Sequence, residues 1–183
     1  AEMGTALHAF LEHADFAALA AAKASGTLDE AICAERDRQV AVQLTPPEIA
    51  EKLDVRRIRR FAESDAFARI CAADAVLREL AFITALPASA VLAAQGSAAP
   101  EGEAAKASVL VQGIADIVLV FPDHLELLDY KTDRRKTEAD FLAAYRAQLN
   151  LYALAIDKRF APKKVTYKGI YSLELGKLIE VKG

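Results

Sequence analysis

Apolar residues along the chain recur first at helical spacing and then at every second position, and that change of period organises the reading. In "GTALHAFLEHADFAALAAAKA", Leu7, Phe10, Leu11 and Leu19 fall on one helical face behind Thr5 as a candidate N-cap. Ser25-Gly26 ends the run, and Thr27 with Glu30 resembles a capping box opening a second helix that reaches about Gln43. Thr45-Pro46-Pro47-Glu48 is a clearer start signal, with a cap, a proline at the first helical position and a glutamate three residues after the cap. Helix is expected from there towards Ala73, carrying the Arg56–Arg60 cluster. The period then becomes two. "AVLRELAFITAL" predicts a strand around Leu77–Leu86, and further strands follow at about 109–121, 124–131 and 165–174, with a short hairpin partner after Gly176. Residues 87–107, rich in Ala, Gly, Ser and Pro, predict a flexible loop. Between the later strands lies a helix capped by Thr137, with Leu142, Leu149, Ala153 and Ile156 as its buried stripe. The order predicts one mixed α/β domain over residues 1–183. Its helical part spans about 1–73 and its sheet-containing core about 74–183, with helices flanking a small central sheet.

Composition narrows the function classes. Hydrophobic content of 54% and charged content of 27% fit a globular chain rather than a disordered one. No run approaches the roughly 18 apolar residues of a membrane span, and no signal segment opens the chain, so a cytoplasmic protein without a membrane partner is expected. The net charge of −3 supplies no global field towards nucleic acid. Local basic patches do exist, at "VRRIRRF" (55–61), "KTDRRK" (131–136) and "DKRFAPKKVTYK" (157–168), and solvated faces are the simpler reading of each. Cys33 and Cys71 read as buried free thiols, and two thiols cannot supply an iron–sulfur cluster. Neither a GxxxxGK[ST] phosphate loop nor a HExxH zinc pattern is present.

The chemistry concentrates in "GIADIVLVFPDHLELLDYKTD". A turn centred on Pro122-Asp123 pairs Phe121 with His124, so paired residue numbers sum to 245. In that register Asp116 faces Asp129 with β-carbons roughly 4.5–5.5 Å apart. Lys131 follows Asp129 on the same face. Two carboxylates at about 5 Å repel by roughly 3 kcal/mol at an effective dielectric near 20. Lys131 offsets part of this, and a hard divalent cation such as Mg²⁺ would offset more. The alternative is that one aspartate turns to solvent at a sheet edge. Elsewhere, His8 stands one turn before Glu12, and Gln148 one turn before Tyr152. A helical histidine or tyrosine is often only structural.

Taken in order, Gly4-x-x-x-His8, Gly113-Ile-Ala-Asp116, Leu128-Asp-Tyr-Lys-Thr-Asp133 and Gln148-x-x-x-Tyr152 resemble the RecB-type nuclease domain of the PD-(D/E)XK superfamily, closest to the AddA-type family of helicase–nucleases. "GIYSLELGKLIEV" resembles that family's closing hairpin, and Ala115 stands where the superfamily's name writes proline. The resemblance implies a restriction-endonuclease-like α/β core and Mg²⁺-dependent cleavage of DNA, with Mn²⁺ as a substitute. It implies Asp116, Asp129 and Lys131 as catalytic residues. His8, Asp116, Asp129 and the Tyr130 carbonyl would be the metal ligands, with Glu79 in the metal's outer shell. Gln148 and Tyr152 would face the substrate. It further implies a piece of a longer chain carrying a helicase motor, a cysteine-bearing AddB-like partner, and no iron–sulfur cluster in this domain. A catalytically silent DNA-binding or docking module, or a stand-alone phage or restriction-type nuclease, would share the same pattern.

Overall fold

An aspartate cuts the first helical run in two. The computed structural model describes residues 2–98, 102, 104 and 107–182. In it α1 (Glu2–His13) ends before Asp15, whose side chain accepts the Ala18 N–H at 2.9 Å and so caps α2 (Phe16–Ser25). Thr5, the candidate cap, therefore lies inside α1. Gly26, at φ 79°, closes α2 in the left-handed conformation open to glycine. α3 (Leu28–Ala41) starts after Thr27 as expected, but the Thr27 hydroxyl bonds Ser25 at 2.8 Å rather than the helix. After the double proline α4 (Pro47–Ala50) is a single turn, and Thr45 turns inward to donate to Gln39 Oε1 at 3.1 Å. The expected run to Ala73 is divided between α5 (Val55–Ala62) and α6 (Asp65–Ala72), capped by Asp54 and Ser64.

The sheet follows with β1 (Ala75–Pro87), β2 (Ser108–Val120), β3 (Leu125–Lys131), β4 (Val165–Ser172) and β5 (Lys177–Glu180), hydrogen-bonded in that order. β1–β2 and β2–β3 are antiparallel. The pairing Ile117↔Leu128 to Val120↔Leu125 gives the sum of 245 read from the turn. β3 and β4 run parallel, since Leu125 N–H reaches the Lys164 carbonyl and Leu173 N–H reaches that of Lys131. α8 (Glu138–Arg159) makes the crossover such a pair requires, opened by a capping box between Thr137 and Asp140. Its buried residues are Phe141, Leu149, Ala155 and Ile156; Leu142 and Ala153 of the expected stripe are only partly covered. The loop expected over 87–107 begins instead with α7 (Ala88–Ala94), an alanine-rich helix of about two turns that buries Val91. Positions 99–101, 103 and 105–106 of that loop lie outside the described residues.

Two compact units result, and the cut between Ala73 and Asp74 falls where the apolar period changes. The helical unit comprises Ala1–Ala73, Tyr130–Arg134 and Tyr171–Leu178. Its centre is aromatic: Phe61 meets Phe16, Phe67, Tyr130 and Tyr171 at centroid distances of 6.1, 5.6, 5.5 and 5.1 Å. The first basic patch is spent on closure here. Arg57 pairs with Asp54 and Glu174, and Arg59 with Asp29 and Glu63. Cys71 is exposed rather than buried, because α6 turns Ala66, Phe67 and Ile70 inward; Cys33 is half-buried. The sheet unit comprises Asp74–Asp129, Arg135–Ile170 and Ile179–Gly183, with its core where α8 covers β1, β2 and β3. Among the described residues no helix is long and apolar enough to cross a membrane.

Candidate functional site

In the sheet unit, a shared irregularity of β1 and β2 positions the acidic residues. The core residues packed with α8 are Val111 and Ala115 on β2, then Val118 and Val120. On β1 they are Phe82 and Leu80 on one side and Leu77 on the other. Strict alternation would keep one parity throughout, so each strand takes up an extra residue between these groups. Register is unchanged across the break, with Arg78↔Ile117 on one side and Leu80↔Ala115 on the other, while Glu79 and Asp116 are skipped. Glu79 adopts φ 45°, a region that costs a non-glycine residue about 1–3 kcal/mol. There a Glu79 and an Asp116 carboxylate oxygen lie within 4.8 Å of each other.

The β2–β3 pairing ends at Ile117↔Leu128, one residue short of Asp129, which is 4% exposed. Leu125 and Leu127 of β3 enter the α8 core, so alternation sends Asp129 and Lys131 out on that side of the strand and Tyr130 on the other. The Tyr130 ring is buried accordingly, edge-on to Phe61. Lys131 is half-buried at the end of β3, where its carbonyl accepts the Leu173 N–H at 2.9 Å.

His8 belongs to the helical unit. It is half-buried on α1, its ring edge-on to Tyr130 at 5.9 Å. It lines a shallow cleft of about 450 Å³ with Gly4, Thr5, Ala9, Glu12 and Thr132. A β-carbon on Gly4 would stand 2.6 Å from Thr132 Oγ1. Gly4 of the first motif is thus required by Thr132 of the third, because only glycine lets α1 lie so close to the strand end.

The second and fourth motifs are locked in the same manner within the sheet unit. A β-carbon on Gly113 would come 2.8 Å from Phe82 Cζ and from Tyr152 Cζ and Oη. Tyr152 occupies the space that glycine leaves, T-shaped against Phe82 at 4.9 Å, and Gln148 Nε2 donates to its hydroxyl at 3.2 Å. Lys136, from the second basic patch, donates to Tyr145 Oη at 3.3 Å and lies over that ring.

Glu79, expected only in the metal's outer shell, lies beside Asp116. Its partner strand could not be registered because the connection through 87–107 conceals the pairing. The strand pattern alone carries no sign of the left-handed kink. As a donor set, Glu79 and Asp116 offer hard carboxylate oxygens at a spacing one small divalent cation can bridge, which fits Mg²⁺ or Mn²⁺.

A mixed sheet with one crossover helix and carboxylates gathered at a strand kink is the frame of a nuclease domain. The chain belongs to the PD-(D/E)XK nuclease superfamily, whose family model matches residues 1–180. It is 34% identical over 186 residues to the AddA subunit of the ATP-dependent helicase/nuclease of Heliobacterium modesticaldum, covering 96% of this chain and 12% of that protein. The protein of the same name from Ligilactobacillus salivarius is 34% identical over 158 residues, 83% of this chain and 12% of the relative. That from Bacillus mycoides is 35% identical over 167 residues, 86% and 12%. The chain therefore spans about an eighth of the length of these curated relatives.

Proposed function

We propose that this domain hydrolyses phosphodiester bonds at DNA ends with Mg²⁺, or Mn²⁺ in its place, as the nuclease part of an AddA-like helicase–nuclease in recombinational repair of double-strand breaks. The observation that carries the reading is the Glu79–Asp116 approach at a strained kink. A fold keeps like charges that close where a cation is to be held. Asp116 and Asp129 are the principal ligands, with Glu79 beside them. The Tyr130 carbonyl and His8 complete the protein ligands on the strength of the motif they share with the family. When bound, the cation supplies the charge that polarises the phosphodiester and acidifies a nearby water. Lys131 orients that water, helps to remove its proton and counters charge building on the phosphate oxygens. Gln148 and Tyr152, held as one hydrogen-bonded unit by Gly113, position the substrate strand. A helicase motor in the full-length chain, an AddB-like partner and a cytoplasmic location follow from the same reading. The test is digestion of linear single- and double-stranded DNA with Mg²⁺ and with EDTA. Fragments that appear only with the metal, and vanish in Asp116→Ala, are expected; equal digestion in EDTA, or no digestion in any divalent ion, overturns the proposal.

A further inference from the structure

α8 carries a second polar edge that the nuclease reading does not use. Arg146 and Asn150 stand one turn apart on it, away from the Gln148–Tyr152 edge that meets Gly113. They line a groove between α7 and α8 with a volume of about 630 Å³, walled by the methyl groups of Ala93, Ala94, Ala143 and Ala147. Asn150 also lines the adjoining cleft of about 480 Å³, where Lys168 of β4 joins it. Lys168 Nζ donates to Asn150 Oδ1 at 2.5 Å, and Asn150 Nδ2 reaches the Ala94 carbonyl at 3.5 Å, so the amide fixes the ammonium at the groove. Burial first, and then the Arg146 charge, hold the Lys168 ammonium below its ordinary range. Asp157 is the carboxylate at the far end of the cleft, and it is engaged by the Val165 N–H at 2.7 Å and by Lys164 at 3.5 Å. Arg146 is exposed and makes no hydrogen bond or ion pair among the described residues, in contrast to Arg57 and Arg59 of the helical unit.

Two cations and an amide donor held along an open, alanine-walled groove match a phosphate, which accepts from both charges and relieves their mutual repulsion. We infer that Arg146, Lys168 and Asn150 form a phosphate-binding station for a DNA strand, separate from the metal-binding carboxylates. The inference rests on DNA as the ligand proposed above and adds where the backbone is gripped away from the cut.

The experiment reads binding without chemistry. The 183-residue protein is titrated in EDTA against a fluorescent twelve-nucleotide single strand over a range of salt, as wild type, Arg146→Glu, Lys168→Met and, as a control on another exposed cation, Lys182→Glu. Arg146→Glu and Lys168→Met are expected to weaken binding on the order of five- to tenfold at low salt. Each should flatten the logarithmic salt dependence by about 0.7 per lost contact, with Lys182→Glu like wild type. Unchanged affinity and slope in Arg146→Glu, which breaks no internal contact, overturn the inference. Equal losses in all three variants do so as well, since they reveal only a general charge effect. Pyrophosphate that binds wild type but not Arg146→Glu, with strand affinity unaltered, would mark a free-anion site and also overturn it. Metal-dependent cleavage is scored separately, so a strand-binding groove on a protein that cuts nothing would leave this inference standing and the nuclease reading failed.

Discussion

The helical unit and the sheet unit use charge in opposite ways. In the helical unit Glu35, 8% exposed, accepts from Arg38, from Gln39 and from the Asp15 N–H. Burial alone would raise its carboxyl, but the Arg38 and Gln39 hydrogen bonds, the Arg38 charge and the Asp15 N–H together hold it below the usual carboxylate range. In the sheet unit, charges of the same sign are brought together instead, Glu79 to Asp116, at a backbone angle that itself costs energy. Opposite charges held together satisfy one another and keep a buried carboxyl ionised, whereas like charges held together favour a cation between them. The same sequence does both within one small chain.

Neutralising the acidic pair separates the two uses most sharply. Asp116→Asn should reduce Mg²⁺-dependent cleavage on the order of a thousandfold or more. The melting temperature should hold steady or rise by up to about 3 °C, because repulsion has been removed. Calorimetry alongside a nuclease assay checks both, and a large fall in stability would mean the carboxylate is structural. Lys131→Ala should likewise abolish cleavage with folding retained; wild-type digestion by that variant removes Lys131 from the chemistry.

Glu35→Ala tests the other side of the comparison and should cost about 2 kcal/mol at neutral pH. Because the folded-state pKa is lowered, that contribution is present above the ordinary carboxylate value and is lost as pH falls through the folded value. Urea unfolding at neutral and acidic pH should therefore show the gap between wild type and variant closing only on the acid side. Gly113→Ala should cost about 1–3 kcal/mol by overpacking and lower activity through a displaced Tyr152. Tyr152→Phe, which removes only the Gln148 hydrogen bond, is the mildest change, about 0.5–1.5 kcal/mol, read as a modest rise in KM.

Much of this is legible from short-range pattern. The hairpin register follows from the length of one turn, and the α8 cap from Thr137 and its third neighbour, since both depend on residues a few positions apart. α7 reads as a loop because Ala, Ser and Gly are common to linkers and to short packed helices, and only the burial of Val91 distinguishes them. Thr27 and Thr45 have the sequence context of side-chain caps, yet each hydroxyl finds a nearer partner. The residue type of Cys71 points to the interior, although the face of α6 decides its exposure.

By itself the sequence determined the order of the strands, the positions of α3 and α8, the pairing of β2 with β3, and which polar residues the four motifs contain. Each of these is set by periodicity, turn length and the local donors and acceptors of the backbone. Only the tertiary structure decided that Gly4 answers Thr132, that Gly113 answers Tyr152, and that Glu79 leaves regular strand geometry beside Asp116. Those are contacts between residues tens of positions apart, fixed by the volume available when surfaces meet, and no local pattern encodes that volume.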